Sequence, residues 1–373
     1  TTRAERIPNA NPFQQNAGAA ADYLLAPNEE AADDVLAGQS DEGENTRYVM
    51  VDSQMASPNS KFGAPVTFYD AENVSQDDFN RVLYQQTDQG GFSTVMQVNT
   101  QRYHESQMIR LYEHYGSAVD PQPVVVDWEP QAAQTADGDQ IELATLPEDP
   151  TTTIRRFENL SAARAYVEED GSAQVGGVGG LPAERVAALE HYRLVHATEA
   201  QGRSPSALQA SVIQRLGLPT EQVLGESIQS AFSDDFVKTF ERVPGATIEG
   251  SGAEPGAEVR AAVQMEKPSG ETFVYEQYTE ADANGEFSFR VPYSTTGYDE
   301  FGPERGYTNT SVRATGAYEV TTGLTPGSGN ATPSAGRVNV TEAQVVGVDD
   351  AAATVEIESL LAEGAGNESD SGA

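Results

Sequence analysis

The sequence contains no cysteine in its 373 residues, which excludes disulfides, thiolate metal ligands and cysteine nucleophiles. It also lacks any apolar stretch near the roughly 20 residues that a membrane-spanning helix needs. No signal-peptide pattern precedes the first structured segment, and the chain begins at Thr1. Its length nevertheless predicts two or three domains, each with a hydrophobic core.

Lysine is almost absent, with Lys61, Lys238 and Lys267 the only examples. Acidic residues number 58 against 22 basic ones, so the net charge is -36. Apolar runs are interspersed among the acids, which favours a folded body over a disordered acidic chain. Because about 1 M salt shortens the Debye length to about 3 Å, molar salt would screen the repulsion on such a surface. The composition therefore indicates a halophilic protein, and its charge argues against nucleic acid as a partner. A basic protein partner is the less favoured explanation, since the charge is spread along the whole chain.

Helix and strand patterns alternate through the first 242 residues, and this alternation predicts a mixed α/β (α+β) core domain, residues 1–242. Helical patterns cover 17–25, 28–36, 101–115, 161–167, a segment opened by Pro182, and 204–235. Strand patterns cover 47–51, 123–128, 153–157 and 192–196.

After Phe236 the pattern changes to short alternating runs separated by Pro-Gly and Asn-Gly pairs. The Asn284-Gly285 pair predicts a hairpin between the runs that end at Tyr278 and begin near Phe287. We expect a small antiparallel β-sandwich or barrel domain over 243–320. Residues 321–357 are expected to form a linker and strands that return to the core, and 358–373 a disordered acidic tail.

No catalytic constellation is recognisable in the sequence. The four histidines do not have metal-ligand spacing, and neither HExxH nor Gly-x-Ser-x-Gly occurs. The glycine cluster 176–180 lacks the Gly-Lys-Ser/Thr ending of a phosphate loop, so a plain turn is predicted. We expect no metal or cofactor site in this segment. Six Asn-x-Ser/Thr sequons are present, and they would be surface glycosylation sites if the chain faces the outside of an archaeal cell: Asn73, Asn159, Asn309, Asn330, Asn339 and Asn367.

Several segments resemble haloarchaeal oligosaccharyltransferase catalytic subunits of the AglB type. They are Glu5 to Gln15, Arg47 to Asp52 followed by Lys61-Phe62, Tyr103 to Tyr112, and Ala188 to His196. They occur in the family's order over most of residues 1–200, and the β-domain resembles a peripheral domain that some members append. The resemblance implies the globular, outward-facing part of a multi-pass cell-membrane protein. It also implies that the chain begins a few residues after the family's WWDYG motif.

The function that this resemblance implies is transfer of a dolichyl-phosphate-linked oligosaccharide to Asn of Asn-x-Ser/Thr. In the family, acidic residues and a divalent metal, Mn or Mg, activate the poorly nucleophilic amide from membrane loops. Those loops are not in this chain, so we expect the segment alone to be inactive and to help recognise the acceptor sequon. Its expected partners are acceptor sequons and, through the membrane half, the lipid-linked oligosaccharide; it is expected to be monomeric and extracellular.

The candidate site residues come from the family signature Asp-x-x-Lys-x-x-x-Met/Ile. Met108 matches its last position, while Gln101 and His104 stand in place of the Asp and the Lys. The resemblance implies that the three line the acceptor-sequon pocket, with Met108 packing on the Thr methyl group. From its pattern alone, Met108 is a core residue on an apolar helix stripe. Two other functions stay open: a non-catalytic cell-surface binding module of a halophile and, with less support, a secreted hydrolase that uses scattered carboxylates.

Overall fold

The computed structural model of the chain describes residues 12–38, 46–57, 61–68, 74–135, 137–198, 205–215, 217, 235–323 and 332–360. The helices are α1 (Pro12–Leu24), α2 (Glu29–Ala37), α3 (Ser53–Ala56), α4 (Gly63–Phe68), α5 (Gln101–Glu105), α6 (Gln107–Tyr112), α7 (Leu160–Asp170), α8 (Pro205–Arg215) and α9 (Glu342–Val345). The strands up to residue 242 are β1 (Tyr48–Asp52), β2 (Asn80–Gln86), β3 (Phe92–Asn99), β4 (Val124–Asp127), β5 (Glu129–Gln134), β6 (Gln140–Thr145), β7 (Ile154–Arg156), β8 (Ala173–Val175), β9 (Tyr192–Ala197) and β10 (Val237–Arg242). The later strands are β11 (Ala246–Ser251), β12 (Glu258–Glu266), β13 (Thr272–Glu280), β14 (Phe287–Val291), β15 (Arg313–Ala314), β16 (Tyr318–Thr322), β17 (Ser334–Val338), β18 (Ala353–Glu356) and β19 (Glu358–Ser359).

The predicted mixed α/β architecture is confirmed. The helices with clear local start signals form where the sequence places them. Asn28 caps α2 by accepting a hydrogen bond from Ala31 N at 2.8 Å, and Asn159 caps α7 in the same way. Gly171 then ends α7 in the left-handed conformation, with φ of 71°.

Three sheets belong to the first 242 residues: β1-β10-β9, β3-β2-β6-β5 and β7-β4-β8. The unbroken valine run of β4 is explained by burial on both faces of its sheet. Val124 and Val126 face a core formed with β2, β3 and α8, whereas Val125 packs against Ala163 of α7.

The strands after residue 245 form the predicted sandwich. One sheet has the order β14-β11-β18, and the other has β13-β12-β16-β17-β19 with β15 beside β12. Buried side chains of both sheets, such as Ile248 and Val320, lie in one hydrophobic cluster. Within the described residues these sheets do not close into a barrel. Most pairs are antiparallel, but β11 and β18 are parallel.

The hydrophobic core continues across residue 243. The largest cluster holds Phe240 and Val243 together with Ile248, Val259 and Tyr275. The last strands were expected to return to the α/β core, and this was wrong. They pair with β11, β16 and β17 instead, because Val355 and Ile357 alternate with polar residues and fill the sandwich interior.

Three local predictions need correction. The turn at Asn284-Gly285 exists, but β13 pairs with β12 and β14 pairs with β11, so it joins two sheets and makes no hairpin. No helix follows Pro182; residues 182–190 are irregular except for a bridge at Val186. The single helix predicted over 101–115 is split at Ser106, where ψ is 137°. Of the helical pattern over 204–235, only α8 falls in the described ranges, and most of the predicted acidic tail lies outside them.

Candidate functional site

The site predicted from the sequence lies on α5 and α6, which cross the main core. Gln107 N donates to Ala26 O at 2.9 Å, and Tyr103 Oη donates to Ala56 O at 2.8 Å. These long-range bonds attach the residues on either side of Ser106 to α3 and to the turn that follows α1. The segment is therefore fixed by tertiary contacts on both sides of the break.

Met108 and His104 are both completely buried. Met108 lies in the main hydrophobic cluster. The imidazole of His104 stacks on that of His114, with ring centroids 5.7 Å apart, and neither of its nitrogens has a hydrogen-bond partner among the described residues. Burial lowers the pKa of His104 to about 3. The pKa of His114 is also lowered, first by burial and then by the nearby His104, Arg110 and Lys238.

Gln101 has a different environment. Its Oε1 accepts hydrogen bonds from Ala183 N at 3.0 Å and Glu184 N at 2.9 Å, and its Nε2 donates to Glu105 Oε1 at 3.1 Å. Gln101 therefore holds the irregular segment after Pro182 against α5. The three predicted residues share one segment but do not form one surface. Contact with a peptide requires exposed atoms, and Met108 and His104 have none in this structure.

A polar pair, of which only the lysine is exposed, lies beside this segment, where α3 packs against α6. Asp52 ends β1, and its Oδ1 caps α3 by accepting from Gln54 N and Met55 N, each at 2.9 Å. Its Oδ2 accepts from Lys61 Nζ at 2.8 Å. Burial alone would raise the pKa of Asp52, but the hydrogen bonds from Lys61 and the backbone outweigh it and the pKa is lowered.

Lys61 is the one solvent-exposed lysine of the chain, since Lys238 and Lys267 are buried. Sequence reasoning placed Asp52 and Lys61 in a family segment without assigning them to the site. The signal that could have identified them is the scarcity of lysine. Of only three lysines in the chain, one lies at the surface beside an aspartate.

The glycine cluster forms the predicted turn. Gly176 N donates to Val124 O at 2.8 Å, Gly177 N to Leu181 O at 2.7 Å, and Gly179 N to Gln209 Oε1 at 2.9 Å. These three backbone donors are thus bonded within the protein. In the described part of the chain, no group of three or more His, Asp or Glu residues is placed to hold a metal ion. None of the helices described is both long and apolar enough to cross a membrane.

Comparison with known proteins connects this geometry to one family. Residues 245–350 match the family model of the archaeal glycosylation protein B long peripheral domain. The chain is 47% identical over 369 residues to the dolichyl-monophosphooligosaccharide–protein glycotransferase AglB of Haloferax volcanii. That match covers 96% of the chain and 34% of the relative, so the chain spans about a third of the relative's length.

Two solved structures share the fold. The oligosaccharyltransferase of Archaeoglobus fulgidus, in complex with Zn and sulfate, matches 93% of this chain and 38% of its own with a TM-score of 0.50 and 16% identity. AglB of the same organism, in complex with an inhibitory peptide and a dolichol-phosphate, matches 94% of this chain and 35% of its own with a TM-score of 0.50 and 17% identity. The chain is thus similar, over nearly all its length, to about a third of the H. volcanii AglB, and its residues 245–350 match the model of the long peripheral domain.

Proposed function

We propose that the chain is the globular part of an oligosaccharyltransferase that transfers a dolichyl-phosphate-linked oligosaccharide to Asn of Asn-x-Ser/Thr. The observation that carries this is the 47% identity over 96% of the chain to a dolichyl-monophosphooligosaccharide–protein glycotransferase. It favours a transferase over a non-catalytic binding module. In this proposal 1–242 is the core domain, and 243–320 together with the strands of 321–357 that pair with it is the peripheral domain. The protein works at the outer face of the cell membrane as a monomer.

The role proposed for the chain within that enzyme is recognition of the acceptor. An A. fulgidus relative of the same fold was solved with an inhibitory peptide and a dolichol-phosphate. These ligands agree with the two expected partners, the acceptor sequon and the lipid-linked oligosaccharide. The structure of an A. fulgidus oligosaccharyltransferase contains Zn. We propose that a divalent cation, Mn or Mg, assists transfer. The described residues offer no group of ligands for it.

Two sets of residues are candidates for reading the sequon. The first is Met108 with His104 and Gln101, which would require α5 and α6 to expose buried atoms. The second is Asp52 with Lys61, which supplies the Asp and Lys of the family signature at the surface, although at a longer spacing. Its exposure makes the second set the better placed for direct contact with a peptide.

The test is a chimera in which this chain replaces the matching third of the H. volcanii protein. We expect the chimera to transfer glycan to an Asn-x-Thr peptide, and the isolated chain to transfer none. Within the chimera, Lys61→Met should reduce transfer, while Lys267→Met, which removes a buried lysine ion-paired to Asp235, is the control for lost stability alone. A folded chimera that cannot transfer glycan, or transfer by the isolated chain, would overturn the proposal.

A further inference from the structure

Strand β1 lies at the edge of its sheet and has one free side. Arg242 N donates to Arg47 O at 2.8 Å, and Ser53 N donates to Phe236 O at 3.0 Å, with an unbroken antiparallel register between them. Because the bonds of an antiparallel ladder alternate, the N–H and C=O groups of Tyr48, Met50 and Asp52 point away from β10. None of these groups has a backbone or side-chain partner among the described residues.

Three other sheet edges in the described part of the chain are blocked. Pro130 places a residue without an N–H group in edge strand β5. In β9, Val195 O accepts from Ser311 N, and in β13, Glu276 O accepts from Ala118 N. Strand β1 contains neither proline nor glycine, and no described residue covers its edge in this way. An uncovered edge risks aggregation, so its retention here calls for a use.

Exposed apolar side chains accompany the free edge. Met50 is 67% exposed and Tyr48 46% exposed, and both stand on the same face of β1. These are two of the seven large hydrophobic residues exposed in the described part of the chain. Their grouping around unpaired backbone groups distinguishes them from scattered surface residues.

We propose that β1 binds an extended stretch of the acceptor polypeptide as a fourth strand of its sheet. Only an extended backbone supplies donors and acceptors at the spacing of Tyr48, Met50 and Asp52, and its side chains can pack on Met50 and Tyr48. That the polypeptide is the acceptor rests on the proposed function. Strand addition depends on backbone hydrogen bonds more than on side-chain identity. This surface therefore holds the residues that flank a sequon in many different proteins. The edge ends at Asp52, whose carboxylate binds Lys61, so the docked strand leads towards that pair.

The experiment measures amide hydrogen exchange and peptide affinity on the whole chain in molar KCl. The probe is a 12-residue peptide centred on Asn-Ala-Thr. We expect the amides of Tyr48 and Met50 to exchange rapidly in the free protein and to become protected when the peptide binds. Met50→Pro removes one outward N–H without breaking the ladder to β10, and should weaken binding about tenfold.

Three controls separate the contributions. Met50→Gln keeps the N–H and removes only the apolar side chain, so it should retain more affinity than Met50→Pro. Ala132→Pro places a proline on β5 in the same alternation as Pro130 and should bind as the unmodified chain does. A peptide N-methylated at alternate residues should lose affinity for the unmodified chain, which tests the same hydrogen bonds even if Met50→Pro does not fold.

Full affinity of both Met50→Pro and the N-methylated peptide would overturn the proposal. Protection of the Tyr48 and Met50 amides before peptide is added would also overturn it. If that protection depends on protein concentration, a second copy of the chain occupies the edge. If it does not, another segment of this chain occupies the edge. A peptide with Gln in place of Asn should dock equally well. If the chain binds the peptide but the chimera transfers no glycan, the strand-binding site stands. Only the identity of the polypeptide as the acceptor is then refuted.

Discussion

Arg193 Nη2 lies 2.8 Å from Glu241 Oε2, although the two side chains are only 1% and 4% exposed. Nη1 of the same guanidinium contacts Glu342 at 2.8 Å, and Ser294 also donates to that carboxylate. The arrangement connects β9 and β10 of the first 242 residues to α9, which lies between β17 and β18 of the sandwich. Burial would raise the pKa of Glu241, but the charge of Arg193 and the hydrogen bonds from Thr308, Arg193 and Arg47 together outweigh it and lower the pKa.

Glu342→Ala should lower the free energy of unfolding by about 3 kcal/mol, because it leaves a buried guanidinium with half of its carboxylate partners. Urea unfolding in molar KCl measures the change. The control is Glu319→Ala, which breaks the ion pair with Arg337 on a surface where the side chains are 57% and 75% exposed. That control should cost less than about 1 kcal/mol, and equal losses for the two variants would contradict the assignment.

The buried His104 predicts loss of stability in mild acid. Its pKa is about 3 in the folded chain and about 6.5 when unfolded, so between these values the unfolded state binds a proton that the folded state does not. The free energy of unfolding should therefore fall as the pH falls below about 6.5, by about 1.4 kcal/mol per pH unit from this group. His104→Leu should reduce that slope between pH 5 and 6.5. His196→Leu, at an exposed position, should not, and an unchanged slope in His104→Leu would refute the prediction.

Met108→Ala should cost about 2–5 kcal/mol of stability, because Met108 has no exposed surface. Leu111→Ala, at an equally buried position on the same helix, is the matched control. In the chimera, a pocket role for Met108 predicts that its replacement weakens Thr sequons more than Ser sequons. If both variants reduce the two sequons equally, Met108 acts only as a core residue.

Gly177→Ala should destabilise the chain more than Gly90→Ala. Both glycines have φ near 80°, so both substitutions carry the cost of a left-handed alanine, about 1–2 kcal/mol. At Gly177 the added Cβ would also lie 2.5 Å from Asn99 O, whereas at Gly90 it meets nothing within 4 Å. Thermal unfolding of the two variants compares them directly, and equal shifts would exclude the predicted collision.

Local signals in the sequence were sufficient for elements whose caps and burial are local. Helix α7 follows from Asn159 and Gly171, and β4 from its valine run. Residues 182–190 could not be predicted, because distant side chains hold their backbone. Arg110 Nη2 donates to Ala187 O and Ala188 O at 3.0 Å, and such partners have no sequence periodicity.

The candidate site was predictable to a similar extent. Burial of Met108 follows from the apolar stripe on its helix, which predicted a core residue as readily as a pocket. Pairing of Asp52 with Lys61 required a chain reversal between residues nine apart, and nothing in their spacing indicates it. The free edge of β1 could likewise not be predicted from the sequence, since it depends on which strands the rest of the chain leaves unpaired.

The burial of Lys238 and Lys267 has a practical consequence for labelling. Among the lysine side chains of the folded chain, a reagent that attacks amines reaches that of Lys61, which is 51% exposed. A fluorophore attached there sits beside the end of β1, on a protein that has no cysteine to offer for the usual thiol coupling. The scarcity of lysine thus leaves a single addressable side chain, at the surface where a peptide is proposed to bind.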